Sequence, residues 1–164
     1  IEGSQSPSAG QKVHTKSHVK FTVSKFTENT IQILAPLSNS AAKCEILPSN
    51  IGRVYVSATI DISPTQMPLL WIHAVDSPTS VWYLQKYPFG ISKGAEEGFW
   101  FGHAQIGNPE FPPIDGSVFD FAITIIDKAE RNKLISSPGE FSSSNPMGHS
   151  IVTAKNVSLA TVKK

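Results

Sequence analysis

Apolar residues recur at every second position along much of this chain. The clearest case is RVYVSATIDI, residues 53–62, in which Val54, Val56, Ala58, Ile60 and Ile62 alternate with mostly polar side chains. Successive side chains of an extended strand point to opposite faces, whereas a helix would scatter these five residues around its circumference. The segment therefore predicts a strand with one buried face.

The same period predicts further strands, with turn-forming residues between them. They are expected in residues 18–26, 30–36, 81–87, 98–107 and 117–127, and residues 149–162 form either one last strand or two short ones. Residues 69–75 are apolar on both sides, which is typical of a central strand covered on both faces. Residues 88–98 and 137–148 are predicted to be connections.

One short helix is expected at residues 127–136, with Asp127 capping its first turn and Ala129 and Leu134 facing inward. The total is about eight or nine short strands without a repeating strand–helix pattern. Such a pattern predicts an all-β sandwich or barrel.

The aromatic stretch GFWFGHAQIG, residues 98–107, carries large side chains on both faces of its predicted strand. Phe99, Phe101 and His103 share one face, and Trp100 shares the other with Gly102, Ala104 and Ile106. Burial of such rings stabilises a sandwich, so Trp100 and Phe99 are predicted to be core residues rather than a ligand platform. Gly102 is expected to leave room for a ring from residues 81–87.

Composition limits the domain organisation and the possible partners. Residues 1–12 are small, polar and aperiodic and are predicted to be a disordered linker, which leaves residues 13–164 as a single domain. The formal net charge is +1 and no basic run occurs, so nucleic acid is not an expected partner. No apolar run reaches the length of a membrane span in this chain.

The reactive side chains match no catalytic or metal-binding motif. Cys44 is the only cysteine, which rules out an internal disulfide and predicts a small buried hydrophobe. The sequence places no pair of carboxylates face to face across a cleft, as a glycosidase requires, and it supplies no identifiable third ligand for a histidine metal site. We therefore expect no metal, no cofactor and no catalysis. The residues weighed as possible metal ligands or catalytic carboxylates are His14, His18, His73, His103, Glu96, Glu97, Glu110 and Asp115.

A cluster of rings in residues 82–89 is the candidate ligand-binding site. Its members are Trp82, Tyr83, Gln85, Tyr87 and Phe89, with Lys86, Glu96 and Glu97 nearby in the sequence. Flat rings beside amides and carboxylates bind sugars, and they also form hot spots at protein interfaces. The alternative is that these rings pack at strand edges and leave only their polar atoms in water.

The order of VYVSATI, LLWIHAV, VWYLQKYP, GFWFGHAQIG and GSVFDFAITIID resembles bacterial immunoglobulin-like β-sandwich modules over about residues 43–127. The resemblance implies an antiparallel sandwich in a surface-associated, extracytoplasmic protein. The chain departs from antibody-type domains because no cysteine pair flanks Trp71, so the inter-sheet disulfide is absent.

These observations favour a non-catalytic binding module that contacts a protein or a glycan. Two alternatives stay open. One is a carbohydrate-binding or carbohydrate-processing domain that stacks sugars on Trp82, Tyr83 and Tyr87, and the other is a structural spacer or assembly subunit. The oligomeric state is not predicted.

Overall fold

The computed structural model describes residues 30–163, which form ten strands and one helix. The elements are β1 (Thr30–Ala35), β2 (Ala41–Ile46), β3 (Gly52–Asp61), β4 (Gln66–Ala74), β5 (Trp82–Leu84), β6 (Gly90–Lys93), β7 (Phe99–Ile106), β8 (Val118–Asp127), α1 (Lys128–Ser136), β9 (Ser142–Ser143) and β10 (Ile151–Lys163). The chain is thus mostly β, as its two-residue period predicts.

All ten strands belong to one sheet. Its hydrogen-bonding order is β6-β7-β3-β2-β10-β8-β4-β5-β9, and β1 pairs with β3 beyond the end of β2. The pair β2–β10 is parallel, while the other strand pairs within residues 30–163 are antiparallel. The predicted sheet is therefore wrong in one respect, because it is mixed rather than antiparallel throughout.

The sheet bends until its two ends meet. Four strands separate β7 from β4 in the hydrogen-bonding order, yet β4 contacts both β6 and β7. The main core fills the space between the two halves and draws its side chains from both of them. A second, smaller cluster lies on the outer face of β4 and β8, where α1 and Phe141 cover it.

Burial confirms the face assignments made from the period. Trp71 and Phe121 are both fully buried. In β4, Leu70 and Ile72 join the main core while Leu69 and Trp71 join the second cluster, so the predicted central strand is covered on both sides. In β7, Trp100 is buried, which confirms its core role, whereas Phe99 is half-buried and belongs to neither core cluster, so its predicted core role is wrong.

Three strands lie where the sequence predicts none. The connection predicted at residues 88–98 contains β6, and the one predicted at residues 137–148 contains β9. The strand β2 in AAKCEI was also missed. These segments are short and carry few large apolar residues, so their extended form depends on the neighbours with which they pair.

Helix α1 forms where it is expected, but two of its predicted details are wrong. The Asp127 side chain makes no capping hydrogen bond; instead the Lys128 backbone N–H donates to the Thr65 carbonyl at 2.9 Å. Ala129 is exposed, while Leu134 and Ile135 pack on the second cluster. The helix follows β8 directly, so the position of that strand decides which helix face turns inward.

The predicted boundary between residues 12 and 13 lies outside the described residues. The strand expected at residues 18–26 and the pair His14 and His18 lie outside them as well.

Candidate functional site

The ring cluster of residues 82–89 lies where the bent sheet closes. Tyr83 and Leu84 in β5 pair with Ile72 and Trp71 in β4. After β5 the chain turns, with the Phe89 N–H donating to the Lys86 carbonyl at 2.8 Å, and it enters β6 at the other end of the sheet. This segment therefore crosses the seam between the first and last parts of the sheet.

A cleft of about 860 Å³ opens beside this crossing, and it is called the aromatic cleft below. Four of the five predicted binding residues line it, namely Tyr83, Gln85, Tyr87 and Phe89. Phe111 and Phe119 contribute further rings, from the β7–β8 connection and from β8. The volume falls within the usual range for ligand sites, which are mostly apolar.

Two of the rings are displayed to solvent. Tyr87 is 96% exposed and Phe111 is 72% exposed, although both are large and partly apolar. Neither ring belongs to a core cluster of residues 30–163. Such surfaces are typical of interaction sites.

Trp82, the fifth predicted residue, lies elsewhere. It precedes Tyr83 in β5, so its side chain points to the opposite face of the strand. There it stacks on His73, with ring centroids 5.2 Å apart and planes 28° apart, and packs against the second cluster. Trp82 and Tyr83 therefore do not form one continuous stacking surface.

The polar groups expected to bind a ligand already have partners in the protein. The Gln85 Oε1 atom accepts the Gln105 backbone N–H at 2.6 Å. The Lys86 ammonium donates to the Ser137 carbonyl, the Ser137 hydroxyl and the Gly139 carbonyl at 3.0, 3.0 and 3.1 Å. It lies just past the end of α1, where a cation complements the helix dipole.

On the opposite wall of the cleft, the Asn108 side chain also has hydrogen-bond partners in the protein. Asn108 Oδ1 accepts the backbone N–H groups of Glu110 and Phe111, both at 2.9 Å, which shapes the turn that presents the Phe111 ring. Glu140 is the one carboxylate that lines the cleft within residues 30–163, and Glu96 and Glu97 do not line it. The cleft thus offers mainly rings, together with tyrosine hydroxyls and the Glu140 carboxylate.

The groups with shifted pKa values lie outside the aromatic cleft. Burial raises the pKa of the Cys44 thiol, as expected of the buried hydrophobe predicted from the sequence. Burial, and secondarily the nearby Arg53 charge, lowers the pKa of His103. Hydrogen bonds from Arg53 and then Lys43 lower the pKa of Glu45.

Metal ligands do not gather in the described part of the chain. No group of three or more His, Cys, Asp or Glu side chains converges within residues 30–163. His73 and His103 belong to β4 and β7, which lie on opposite halves of the sheet. The Asp115 carboxylate accepts the Thr161 N–H at 2.8 Å and is thereby tied to β10.

Sequence reasoning missed Phe111 and Phe119, which contribute to the second wall of the cleft. A signal was present for the former, because NPEFPP carries a large ring inside a proline-dense connection. Nothing local indicates that this connection meets residues 82–89, since the meeting depends on closure of the sheet.

The helix α1, the one found within residues 30–163, is too short and too polar to cross a membrane. Comparisons with known proteins found no match: no family model matches the chain, and searches of curated proteins and of solved structures returned no significant similarity.

Proposed function

We propose that this chain is a non-catalytic binding module that holds an apolar stretch of a partner protein in the aromatic cleft. The observation that carries the proposal is the pair of exposed rings, Tyr87 and Phe111, beside a cleft that is also lined by Tyr83, Phe89 and Phe119. Aromatic side chains in a desolvated pocket are the usual source of binding energy at protein interfaces.

The state of the polar groups favours a protein segment over a glycan. A sugar presents many hydroxyl groups, and a site that binds it needs vacant donors and acceptors beside its rings. Here the amide oxygen of Gln85, the ammonium of Lys86 and the amide oxygen of Asn108 are already hydrogen-bonded within the protein. Desolvating apolar side chains against the rings does not require those groups.

The carbohydrate alternative also loses its stacking platform. It invoked Trp82, Tyr83 and Tyr87 together, but Trp82 stacks on His73 on the other face of β5. A partner protein can use Tyr83, Tyr87 and Phe111 without Trp82.

An immunoglobulin-like architecture and a surface-associated, extracytoplasmic location stay predictions. The architecture is supported by two sheet halves that face each other across one core. Secretion of the parent protein, measured by fractionation of cells, tests the location.

Selection from a library of random phage-displayed dodecapeptides tests the binding proposal. We expect the selected peptides to be rich in apolar and aromatic residues and to shift backbone NMR signals of the cleft-lining residues. Tyr87→Ala and Phe111→Ala should each weaken binding about tenfold or more, which corresponds to about 1.4 kcal/mol or more.

Ile114→Ala is the matched control, because Ile114 follows Phe111 in the same connection and is equally exposed, at 72%, but does not line the cleft. It should leave binding unchanged. Peptides that bind the Tyr87→Ala, Phe111→Ala double variant as tightly as the wild-type chain would refute the proposal. Binding on a glycan array that these two changes abolish would favour the carbohydrate alternative instead.

A further inference from the structure

A second cavity, of about 400 Å³, lies between β4, β6 and α1, and we call it the arginine pocket. Leu69 and Leu70 from β4, Ile91 from β6 and Ile135 from α1 supply apolar walls, and Arg131 from α1 reaches the same space. Arg131 and Ile135 are one helical turn apart and so share a face of α1.

Within residues 30–163, the guanidinium of Arg131 has no protein partner. Its Nε atom is buried without a hydrogen bond, and no carboxylate within residues 30–163 forms an ion pair with it. Burial lowers the pKa of Arg131, but an arginine keeps its charge at neutral pH. Arg131 as a whole is partly exposed, but a buried N–H donor without a partner is costly, and a native structure that contains one calls for a partner.

The surroundings define the charge that such a partner carries. No Asp or Glu lines the arginine pocket in the described part of the chain. Lys86 also lines it, but three contacts to Ser137 and Gly139 occupy the three donors of its ammonium. Arg131 is therefore the cationic side chain of the pocket whose donors have no partner within residues 30–163, and its planar fork matches the two oxygens of one carboxylate.

We infer that the arginine pocket binds a monocarboxylate with an apolar body. The carboxylate pairs with the Arg131 guanidinium, whose planar fork fits two carboxylate oxygens. For a bidentate pair that includes the buried Nε atom, the Arg131 side chain must rotate further into the arginine pocket. The apolar body of the ligand then packs against Leu69, Ile91 and Ile135.

This site is separate from the proposed protein contact. The arginine pocket depends on Arg131, which does not line the aromatic cleft, although the two cavities share Gln85, Lys86, Tyr87, Phe89 and Gly139. Failure of one proposal therefore leaves the other standing.

NMR titration of the whole chain with four probes tests the inference. Hexanoate represents a free acid and N-acetylleucine represents a peptide carboxyl end, while hexanamide and N-acetylleucinamide are their uncharged counterparts. We expect at least one acid to shift the amide signals of Leu70 and Ile91 and to bind about tenfold or more tightly than its amide. The stronger acid identifies the source of the carboxylate.

Arg131→Gln should weaken binding of that acid about tenfold or more. The ligand-free variant should unfold at the same urea concentration as the wild-type chain or a higher one, because the guanidinium has no partner to lose. Lys133→Gln removes the same charge from an exposed position on α1 and should change neither property.

Three outcomes would overturn the inference. The first is equal binding of each acid and its amide to the wild-type chain, and the second is tighter binding of inorganic phosphate than of either acid. The third is that Arg131→Gln retains acid binding. The first two use the unaltered chain, so they decide the question even if the variant does not fold.

Discussion

At the scale of single residues, β7 shows how alternation sorts side chains between core and solvent. Trp100, Ala104 and Ile106 are buried, whereas Phe101 on the other face is 42% exposed and stacks on Phe99 with ring centroids 5.8 Å apart. Gly102 lies on the buried face, as predicted, but the predicted reason was wrong. A side chain there would meet the backbone of β6 at Gly90, not a ring from residues 81–87.

Gly102→Ala should therefore be strongly destabilising. The added Cβ collides with the Gly90 carbonyl oxygen, and two paired backbones cannot yield as a flexible side chain does. We expect a loss of about 3 kcal/mol or more in the free energy of unfolding, measured by urea denaturation.

Gly116→Ala is the matched control, since a Cβ at Gly116 meets nothing within 4 Å and its cost comes from a φ of +79° alone. That cost should be about 1 kcal/mol. Equal losses for the two variants would show that close approach of β6 is not what requires glycine at position 102.

At the scale of elements, the segment after α1 shows how a linker-like sequence is held in place. Thr124 in β8 is fully buried, and its Oγ1 accepts the Trp71 indole N–H at 3.0 Å and donates to the Met147 carbonyl at 2.6 Å. Phe141 lies edge-on against Trp71, with ring centroids 6.1 Å apart. One buried hydroxyl thus joins β4, β8 and the connection that leads to β10.

Thr124→Val keeps the shape of this side chain but removes both hydrogen bonds. The indole N–H and the Met147 carbonyl would then be left without this partner, at a cost of about 2–3 kcal/mol in the free energy of unfolding. Amide exchange of His149, whose N–H donates to the Ile125 carbonyl at 2.9 Å, should also become faster.

Thr59→Val, at an exposed position in β3, serves as the control and should change stability by no more than about 0.5 kcal/mol. If Thr124→Val unfolds like the wild-type chain, the hydroxyl does not anchor this connection.

The sequence of β10 is compatible with either one strand or two, and a shift in its pairing register explains why. Val152 and Ala154 face the core before the irregularity in its pairing with β8, and Val157 and Leu159 face it afterwards. The inward positions change from even to odd because the register shifts between Ala154 and Val157, where Asn156 has a φ of 56°. A bulge of this kind bends the strand without ending it.

At the scale of the whole molecule, Gln85 links the two ends of the sheet. Its backbone N–H donates to the Leu70 carbonyl of β4 at 2.9 Å, and its side chain accepts the Gln105 N–H of β7 at 2.6 Å. This second hydrogen bond provides an acceptor for the Gln105 N–H, which lies on the edge of β7 beyond the residues that pair with β6. The residue predicted to contact a ligand thus has a structural contact across the seam.

Gln85→Met preserves the length of this buried side chain but removes the amide oxygen. The Gln105 N–H would lose its acceptor, which should cost about 1–3 kcal/mol and speed exchange of that amide. Both effects are measured on the same labelled sample, by urea denaturation and by hydrogen exchange.

Gln32→Met, at an exposed position in β1, is the control and should leave both quantities nearly unchanged. Unaltered exchange at Gln105 in the Gln85 variant would contradict a role in closing the seam.

The candidate site shows how far sequence reasoning reached. The structure places three of the predicted rings, Tyr83, Tyr87 and Phe89, along one cleft, while their role in binding stays a prediction. Sequence reasoning also included Trp82, although alternation in β5 places that ring opposite Tyr83. It missed Phe111, which approaches the cleft from a distant part of the chain.

By itself, the sequence determined the long strands of residues 30–163 and their buried faces, because a period of two is a local property of an extended backbone. Only the tertiary structure decided the parallel pairing of β2 with β10, the short strands β6 and β9, and the closure that creates both cavities. Hydrogen bonds between backbones do not depend on which side chains flank them, so pairing is chosen by the fit of the whole core.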